Sequence, residues 1–140
     1  MRVIFLDIDG VVNSEETLKK VSSGGILGID PYLAFLVGRI SLALPDVKFV
    51  LSSSWRHFNS GREQVERQVV PIYDETPKLD TGLRGDEIKA WLDDHPEVEK
   101  YAILDDDNDM LPEQMPSLFQ TTWQIGITPE IVIAVVEYLQ

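Results

Sequence analysis

Two aspartates, Asp7 and Asp9, follow the first apolar stretch of the chain, Val3–Leu6. An apolar run without alternation is typical of a strand that is buried on both faces, as in the centre of a parallel sheet. Side chains two residues apart on a strand point the same way, so both carboxylates are expected near its C-terminal end. Gly10 then permits a sharp exit from the strand. Because ligands of open α/β sheets bind beyond these strand ends, the pair predicts a site for chemistry.

Two further polar stretches fall where the same crevice is expected. The first is a serine run after an apolar strand, in which Ser53 or Ser52 offers a hydroxyl to a phosphate oxygen. The second places Arg84 at the start of a helix, where a cation opposes the helix dipole unless an anion is bound there as well. Lys89, one turn further on, is the alternative cation. A solvated arginine offset by neighbouring acids is the competing interpretation.

A third stretch is an acidic cluster that directly follows another apolar strand. Its members are Asp105, Asp106, Asp107 and Asp109. Alternating acids also occur in calcium loops of the EF-hand type, which require Gly at the sixth position and Glu at the twelfth. This chain has Met110 and Pro116 at those positions, so the sequence excludes that loop.

Electrostatics predicts a cation among these acids. The carboxylates expected to converge in one crevice are those of Asp7, Asp9, Asp105 and Asp106. Two like charges about 4 Å apart repel by about 4 kcal/mol at an effective dielectric constant of about 20, so without a cation some carboxyl groups would have to take up protons. A few carboxylates completed by water and a substrate phosphate suit Mg²⁺.

The elements that must position these residues alternate along the chain. Strands are predicted at 3–6, 47–51, 101–104 and 118–123, with a short edge strand at 72–73. Helices are predicted at 31–44, 61–69, 85–94 and 128–139, and 13–28 is interpreted as a flap or irregular loop. Strands that alternate with helices indicate an α/β fold with a doubly wound parallel sheet and right-handed crossovers.

Composition narrows the class of protein. The 140 residues, 44% hydrophobic and 26% charged, predict a single domain over 1–140 with one core. A net charge of −12 disfavours stand-alone nucleic-acid binding, and it fits either a protein that concentrates divalent cations or one whose charge serves solubility alone. The absence of cysteine excludes disulfides and thiolate metal sites. Since no signal-like segment and no membrane-length apolar run is found, we expect a cytoplasmic protein with no membrane partner.

The motif Asp-Ile-Asp-Gly-Val at 7–11 resembles the first motif of the haloacid dehalogenase-like (HAD) superfamily, most of whose members are magnesium-dependent phosphatases. Ser53, with Ser52 as the alternative, matches the second motif. Arg84 matches the third, where the family more often has Lys. The pair at 105–106 matches the fourth motif, which completes a magnesium site. The resemblance covers nearly the whole chain.

Shorter patches narrow the resemblance. They are Ser-Ser-Trp-Arg at 53–56, Arg-Gly-x-Glu-Ile-x-x-Trp-Leu at 84–92 and Leu-Asp-Asp-Asp at 104–107. These patches resemble small HAD domains akin to the phosphatase part of phage polynucleotide kinase-phosphatases. The resemblance implies a HAD-like Rossmannoid fold. No separate cap domain is expected, because 9–30 and 56–84 are too short for an independent core. An open site favours nucleic-acid ends or another large or exposed phosphate as substrate.

The resemblance also implies roles for individual residues. Asp7 would be the nucleophile that forms an aspartyl phosphate, and Asp9 the general acid and base, with its backbone carbonyl as a further metal ligand. Ser53 and Arg84 would act in catalysis by holding the phosphoryl oxygens. The expected substrate contacts are Ser52, Ser53, Arg56 and Arg84, and the expected Mg²⁺ ligands are Asp7, Asp9, Asp105 and Asp106.

Two other interpretations compete with this one. A response-regulator receiver also carries acids, a hydroxyl and a cation on a doubly wound sheet, but its acidic pair comes early and its phosphorylated Asp later. A catalytically idle HAD domain used for binding or regulation is the second alternative. The presence of residues that match all four motifs argues against it. The expected partner is a phosphorylated substrate, with nucleic acid only as a candidate substrate. A monomer or small homo-oligomer is expected.

Overall fold

A parallel sheet of five strands forms the centre of the structure, a computed structural model that describes residues 1–20 and 28–140. The strands are β1 (Arg2–Leu6), β2 (Lys48–Leu51), β3 (Asp74–Glu75), β4 (Lys100–Asp105) and β5 (Leu118–Gln120). Their order is β3-β2-β1-β4-β5, and each neighbouring pair is parallel. The predicted α/β fold is confirmed, and the strands that precede the first, second and fourth motifs are neighbours, as expected.

In the described part of the chain, five α-helices accompany the sheet. They are α1 (Glu15–Lys20), α2 (Pro31–Ala43), α3 (Gly61–Gln68), α4 (Arg84–Asp93) and α5 (Pro129–Leu139). The β-branched interior of α5 would suit a strand, but Thr128 caps a helix by accepting the N–H of Ile131 at 3.3 Å. Short 3-10 helices lie at Ser54–His57 and Pro112–Ser117. Within the described ranges, no helix has the length and apolar character needed to cross a bilayer.

The two faces of the sheet carry separate apolar clusters. Ile4 and Leu6 face α2 and α5. Val3 and Phe5 face the opposite side, where they meet α4, and the ring of Phe5 lies edge-on to Trp91 with centroids 5.4 Å apart. Helices therefore cover both faces. Side chains that continue the Val3–Phe5 row beyond β1 emerge beside the start of α4.

The expected absence of a cap domain is consistent with the chain path. Between β1 and α2, the described residues add α1 alone. Between β2 and α4, they add one 3-10 helix, α3 and the two-residue strand β3. None of these insertions builds a second sheet, and Val65 of α3 joins the main apolar cluster.

The predicted loop at 13–28 is wrong in its first part, where α1 lies. Ser14 and Thr17 cap this helix reciprocally: the N–H of Thr17 donates to Ser14 Oγ at 3.2 Å, and the N–H of Ser14 donates to Thr17 Oγ1 at 3.0 Å. Hydrophobic periodicity could not reveal the helix, because Leu18 is its one large apolar residue and is 48% exposed. The remainder of the predicted loop at 21–27 lies outside the described residues.

Two strand boundaries also differ from the sequence prediction. The edge strand expected at 72–73 pairs instead through Asp74–Glu75, which lie opposite Val50 and Leu51 of β2. The last strand ends at Gln120 rather than at 123. Both boundaries are set by the register of the neighbouring strand, which hydrophobic content alone does not encode.

Gly10 occupies a position where a side chain should destabilise the fold. It has a φ of +83°, and a Cβ there would overlap the side chain of Asp106. Gly10→Ala should therefore lower the free energy of unfolding by roughly 1–3 kcal/mol. Gly38→Ala is the matched control, because Gly38 lies inside α2 with open space around it and alanine should stabilise a helix by about 1 kcal/mol. Chemical denaturation of both variants measures the effect. Equal stability of the two variants would refute the constraint at Gly10.

Candidate active site

Three carboxylates meet where β1 and β4 end. Asp7 extends β1 by donating its N–H to the carbonyl of Leu104 at 3.0 Å. Asp105 is the last residue of β4, and Asp106 follows it. One oxygen from each of the three carboxylates lies within 4.8 Å of the others. Asp7 and Asp105 are buried, and Asp106 is partly exposed. The structure thus brings together three of the four predicted Mg²⁺ ligands.

Arg84, the first residue of α4, supplies the cation at this group. Its Nη1 lies 3.1 Å from an oxygen of Asp7 and 3.1 Å from an oxygen of Asp105. Burial disfavours the charged guanidinium, but the negative charges of these two aspartates outweigh it and raise the pKa of Arg84. The alternative, Lys89, is half exposed and pairs with Asp93 at 2.8 Å. The structure therefore places Arg84, rather than Lys89, beside the predicted nucleophile.

One guanidinium does not neutralise the negative charge of the three carboxylates. Burial and the charge of Asp7 raise the pKa of Asp105 to about 8, although Arg84 opposes the shift. Burial and the same neighbour raise the pKa of Asp106. A carboxyl group such as Asp105, which retains its proton near neutral pH, indicates that positive charge is missing from the group. The all-oxygen donor set of Asp7, Asp105 and Asp106 fits Mg²⁺, which binds few carboxylates and keeps several waters.

Asp9 lies in different surroundings from Asp7. Its carboxylate is exposed, and Oδ1 accepts hydrogen bonds from Asn13 Nδ2 at 2.9 Å and from Trp55 Nε1 at 3.2 Å. The buried Asn13 is itself fixed, because its Oδ1 accepts the N–H of Gly10 at 2.9 Å. The Asp9 side chain is not part of the three-carboxylate group. Metal binding through its backbone carbonyl stays a prediction.

The serine loop follows β2 beside Asp7. Ser52 donates its N–H to the carbonyl of Leu6 at 3.0 Å, so it continues the sheet next to Asp7. Its Oγ is buried without a hydrogen-bond partner among the described residues. Ser53 Oγ accepts the N–H of Trp55 at 3.2 Å, and its own proton can still be donated. Both serines keep their predicted roles as proposals, since each offers a donor at this strand end.

Arg56 is engaged inside the protein. Its Nε, Nη1 and Nη2 contact five acceptors, which are the carbonyls of Ser52, Ser53, Thr76 and Pro77 and a carboxylate oxygen of Glu87 at 2.9 Å. Arginine has five N–H donors, and these five contacts account for them. The side chains of Arg56 and Glu87 are only 3% and 7% exposed. The predicted substrate contact of Arg56 therefore needs correction: its guanidinium joins the serine loop to α4, the helix that carries Arg84.

Several residues that hold the site in place were not among the predicted site residues. They are Asn13, Trp55, Asp109, Gln114 and Thr121. Asp109 accepts the N–H of Arg84 at 3.2 Å, Gln114 donates to the carbonyl of Gly85 at 2.9 Å, and Thr121 donates to the carbonyl of Gly10. Each of these three contacts joins segments that are distant in sequence, so a local sequence pattern could not predict it. Asn13 alone lies close in sequence to the residue that it positions, four residues after Asp9.

The fold and the site agree with a comparison to known families. A family model described as the HAD domain in Swiss Army Knife RNA repair proteins matches residues 3–132. The chain therefore belongs to this family of HAD domains, and the predicted membership of the HAD superfamily is confirmed. No curated protein and no solved structure matches the chain. The family supports a phosphatase-like function in general terms.

Metal-free protein should lose stability as the pH rises through this site's titration. The folded pKa of Asp105, about 8, exceeds the ordinary value of 3.8, so the folded state binds the proton more tightly than the unfolded chain. The free energy of unfolding should then fall between about pH 4 and pH 8, and Asp105→Asn should weaken this fall. Added Mg²⁺ should raise Tm more near pH 8 than near pH 6, because its ligands must be deprotonated. Thermal unfolding with EDTA or Mg²⁺ tests this, and a larger Mg²⁺ effect near pH 6 would contradict it.

The Arg56 link should matter for stability. Arg56→Lys keeps the charge but cannot reach five acceptors, so buried carbonyls lose their donors and the free energy of unfolding should fall by about 2–4 kcal/mol. Arg62→Lys is the control, because Arg62 is 38% exposed, its ion pairs with Glu66 and Glu75 are exposed, and it donates to a single backbone carbonyl, that of Ile72. That change should cost less than about 1 kcal/mol. Urea denaturation compares the two, and similar losses would show that the Arg56 link has no special weight.

Proposed function

We propose that this protein is a Mg²⁺-dependent phosphatase that hydrolyses phosphate monoesters through an aspartyl-phosphate intermediate on Asp7. The observation that carries the proposal is the position of the Asp7 carboxylate, 3.1 Å from the guanidinium of Arg84 and grouped with Asp105 and Asp106. Phosphoryl transfer requires a nucleophile and positive charge near the phosphoryl oxygens, and a carboxylate beside a cation and a candidate metal site can supply both. Membership of a HAD family supports the same reaction class.

In the first step, a carboxylate oxygen of Asp7 attacks phosphorus and the bond from phosphorus to the leaving oxygen breaks. Arg84 bridges Asp7 and Asp105, which keeps its N–H groups where the equatorial phosphoryl oxygens would arrive. Ser52 and Ser53 offer donors from the neighbouring strand end. Asp7, Asp105 and Asp106 would hold Mg²⁺, which when bound supplies positive charge that screens the phosphate from these carboxylates.

Asp9 serves as general acid and then as general base. It gives a proton to the leaving oxygen in the first step and takes one from the water that hydrolyses the aspartyl phosphate in the second. Its exposed carboxylate can reach a substrate, and the N–H donors of Asn13 and Trp55 fix its orientation. Two neighbouring aspartates thus take separate roles because their surroundings differ.

The substrate that we propose is a phosphate at a nucleic-acid end or another exposed phosphate. The absence of an evident cap in the described chain leaves the strand ends open to a large substrate. The family description, which refers to RNA repair proteins, supports a nucleic-acid end. A net charge of −12 gives little affinity for a polyanionic backbone, so recognition of a terminal group fits better than recognition of a long strand. A catalytically idle binding domain remains the second candidate, and the assay below separates the two.

Asp7→Asn should abolish both turnover and covalent labelling, because a neutral amide is not a competent nucleophile. The measurement is phosphate release from an aryl phosphate, with Mg²⁺ or with EDTA, together with trapping of the phosphoenzyme. Asp46→Asn, an exposed position before β2, is the control and should leave the rate unchanged. Near-normal turnover by Asp7→Asn, or full wild-type activity in EDTA, would overturn the mechanism. No turnover by the wild-type protein would favour the idle domain.

Asp9→Asn should instead show a defect that depends on the leaving group. An activated aryl phosphate leaves without a proton, whereas an alkyl phosphate needs one. Because general acid catalysis is worth about 10²–10⁴-fold, the alkyl substrate should lose far more rate, and phosphoenzyme should accumulate on the aryl substrate. The ratio of the two rates is the measurement. Equal losses on both substrates, with unchanged Mg²⁺ affinity, would remove Asp9 from proton transfer.

A further inference from the structure

A cavity of about 690 Å³ opens beside the carboxylate of Asp9. Three aromatic side chains, Trp55, Phe58 and Trp123, line it together with the amide side chains of Asn59 and Gln64. Its volume is in the range of small-molecule sites. Among the described lining residues, Asp9 is the one that carries a charge, and no lysine or arginine contributes.

The position of Asp9 decides which part of a substrate this cavity would receive. A general acid must reach the oxygen that leaves phosphorus, so the leaving group lies on the side of Asp9. Trp55 lines the cavity and also contacts this acid, because its Nε1 donates to Asp9 Oδ1 at 3.2 Å. The phosphoryl group would lie at Asp7 and Arg84, outside the cavity. The cavity therefore faces the leaving group.

The lining chemistry fits a flat heterocycle with a hydrogen-bonding edge. Phe58 is 60% exposed and lines the cavity, so a ring stacked on it would cover this apolar surface. The amides of Asn59 and Gln64 offer donors and acceptors in the same cavity. A nucleobase satisfies both requirements, whereas the ring of a phosphotyrosine would leave the amides without partners. Among the lining residues that the structure describes, none is basic, which matches the uncharged base rather than a further phosphate.

We propose that this cavity binds the base of the nucleotide that carries the scissile phosphate, with Phe58 as a stacking surface. The inference rests on the proposed phosphatase function for its orientation, and it adds the recognition element of the substrate. A free nucleotide and a nucleotide at a strand end share this base. The base would be taken out of any neighbouring stack, as in other proteins that bind unpaired bases on aromatic side chains.

The test compares substrates with and without a base. Nucleoside monophosphates, with the phosphate at the 3′ or 5′ position, are compared with ribose phosphate in steady-state kinetics. Phe58→Ala should lower kcat/KM for the nucleotides by roughly five- to hundred-fold and leave ribose phosphate unchanged. Phe35→Ala is the matched control, because Phe35 is 58% exposed on α2 and does not line the cavity. It should change neither rate.

The outcomes separate this inference from the function on which it rests. Equal effects of Phe58→Ala on nucleotides and ribose phosphate, or dependence on Phe58 for a phosphotyrosine peptide but not for nucleotides, would overturn it. If the wild-type protein hydrolyses no phosphate ester, the function fails, and tryptophan fluorescence with uncharged adenosine then tests the cavity alone. Quenching lost in Phe58→Ala supports the site, and no quenching refutes it. Oligonucleotides that carry a terminal phosphate are assayed in parallel and show whether a strand end or a free nucleotide is the better substrate. Dependence on Phe58 with either substrate supports the proposal.

Discussion

The repulsion among Asp7, Asp105 and Asp106 is the constraint around which the described structure is arranged. Three carboxylates lie within reach of one cation, and burial makes their mutual repulsion stronger than it would be in water. The fold holds them by backbone contacts that do not depend on their charge: the N–H of Asp7 bonds to Leu104, and the carbonyl of Asp105 accepts the N–H of Thr121 at 3.0 Å. The backbones of Asp7 and Asp105 therefore cannot separate without breaking hydrogen bonds at the centre of the sheet. The stability of the apolar core therefore maintains an arrangement that is unfavourable by itself.

Helix α4 shows how one element serves the core and the site together. Arg84, Glu87, Ile88 and Trp91 recur at the spacing of a single helical face. Ile88 and Trp91 anchor the helix on the sheet, and Glu87 binds Arg56. Because those positions are fixed, Arg84, the first residue of the face, lies beside the carboxylates. Because the anchors are apolar or buried, Arg84 needs little further ordering when a ligand arrives.

The sequence could predict those features that depend on local pattern. Apolar runs that end in acids located β1 and β4, and the rule that parallel strands end at one edge then placed Asp7 near Asp105. Helix α1 escaped prediction because it is capped by Ser14 and Thr17 but has no apolar stripe. The role of Arg56 escaped for a different reason. Its acceptors come from three separate segments, so chain spacing cannot distinguish a surface arginine from a buried link.

The surroundings of Asp7 and Asp9 differ more than their spacing suggests. Asp7 continues β1 into the charged group, whereas the turn at Gly10, with its φ of +83°, lets Asn13 reach back to the Asp9 carboxylate. The same turn packs closely against Asp106, so the turn at Gly10 constrains both the three-carboxylate group and, through Asn13, the Asp9 side chain. In the proposed mechanism, phosphoryl chemistry and leaving-group recognition would then lie on opposite sides of a single backbone segment. A substrate that reaches both must present its phosphate and its neighbouring group in a fixed relation, and selectivity can arise there without a cap domain.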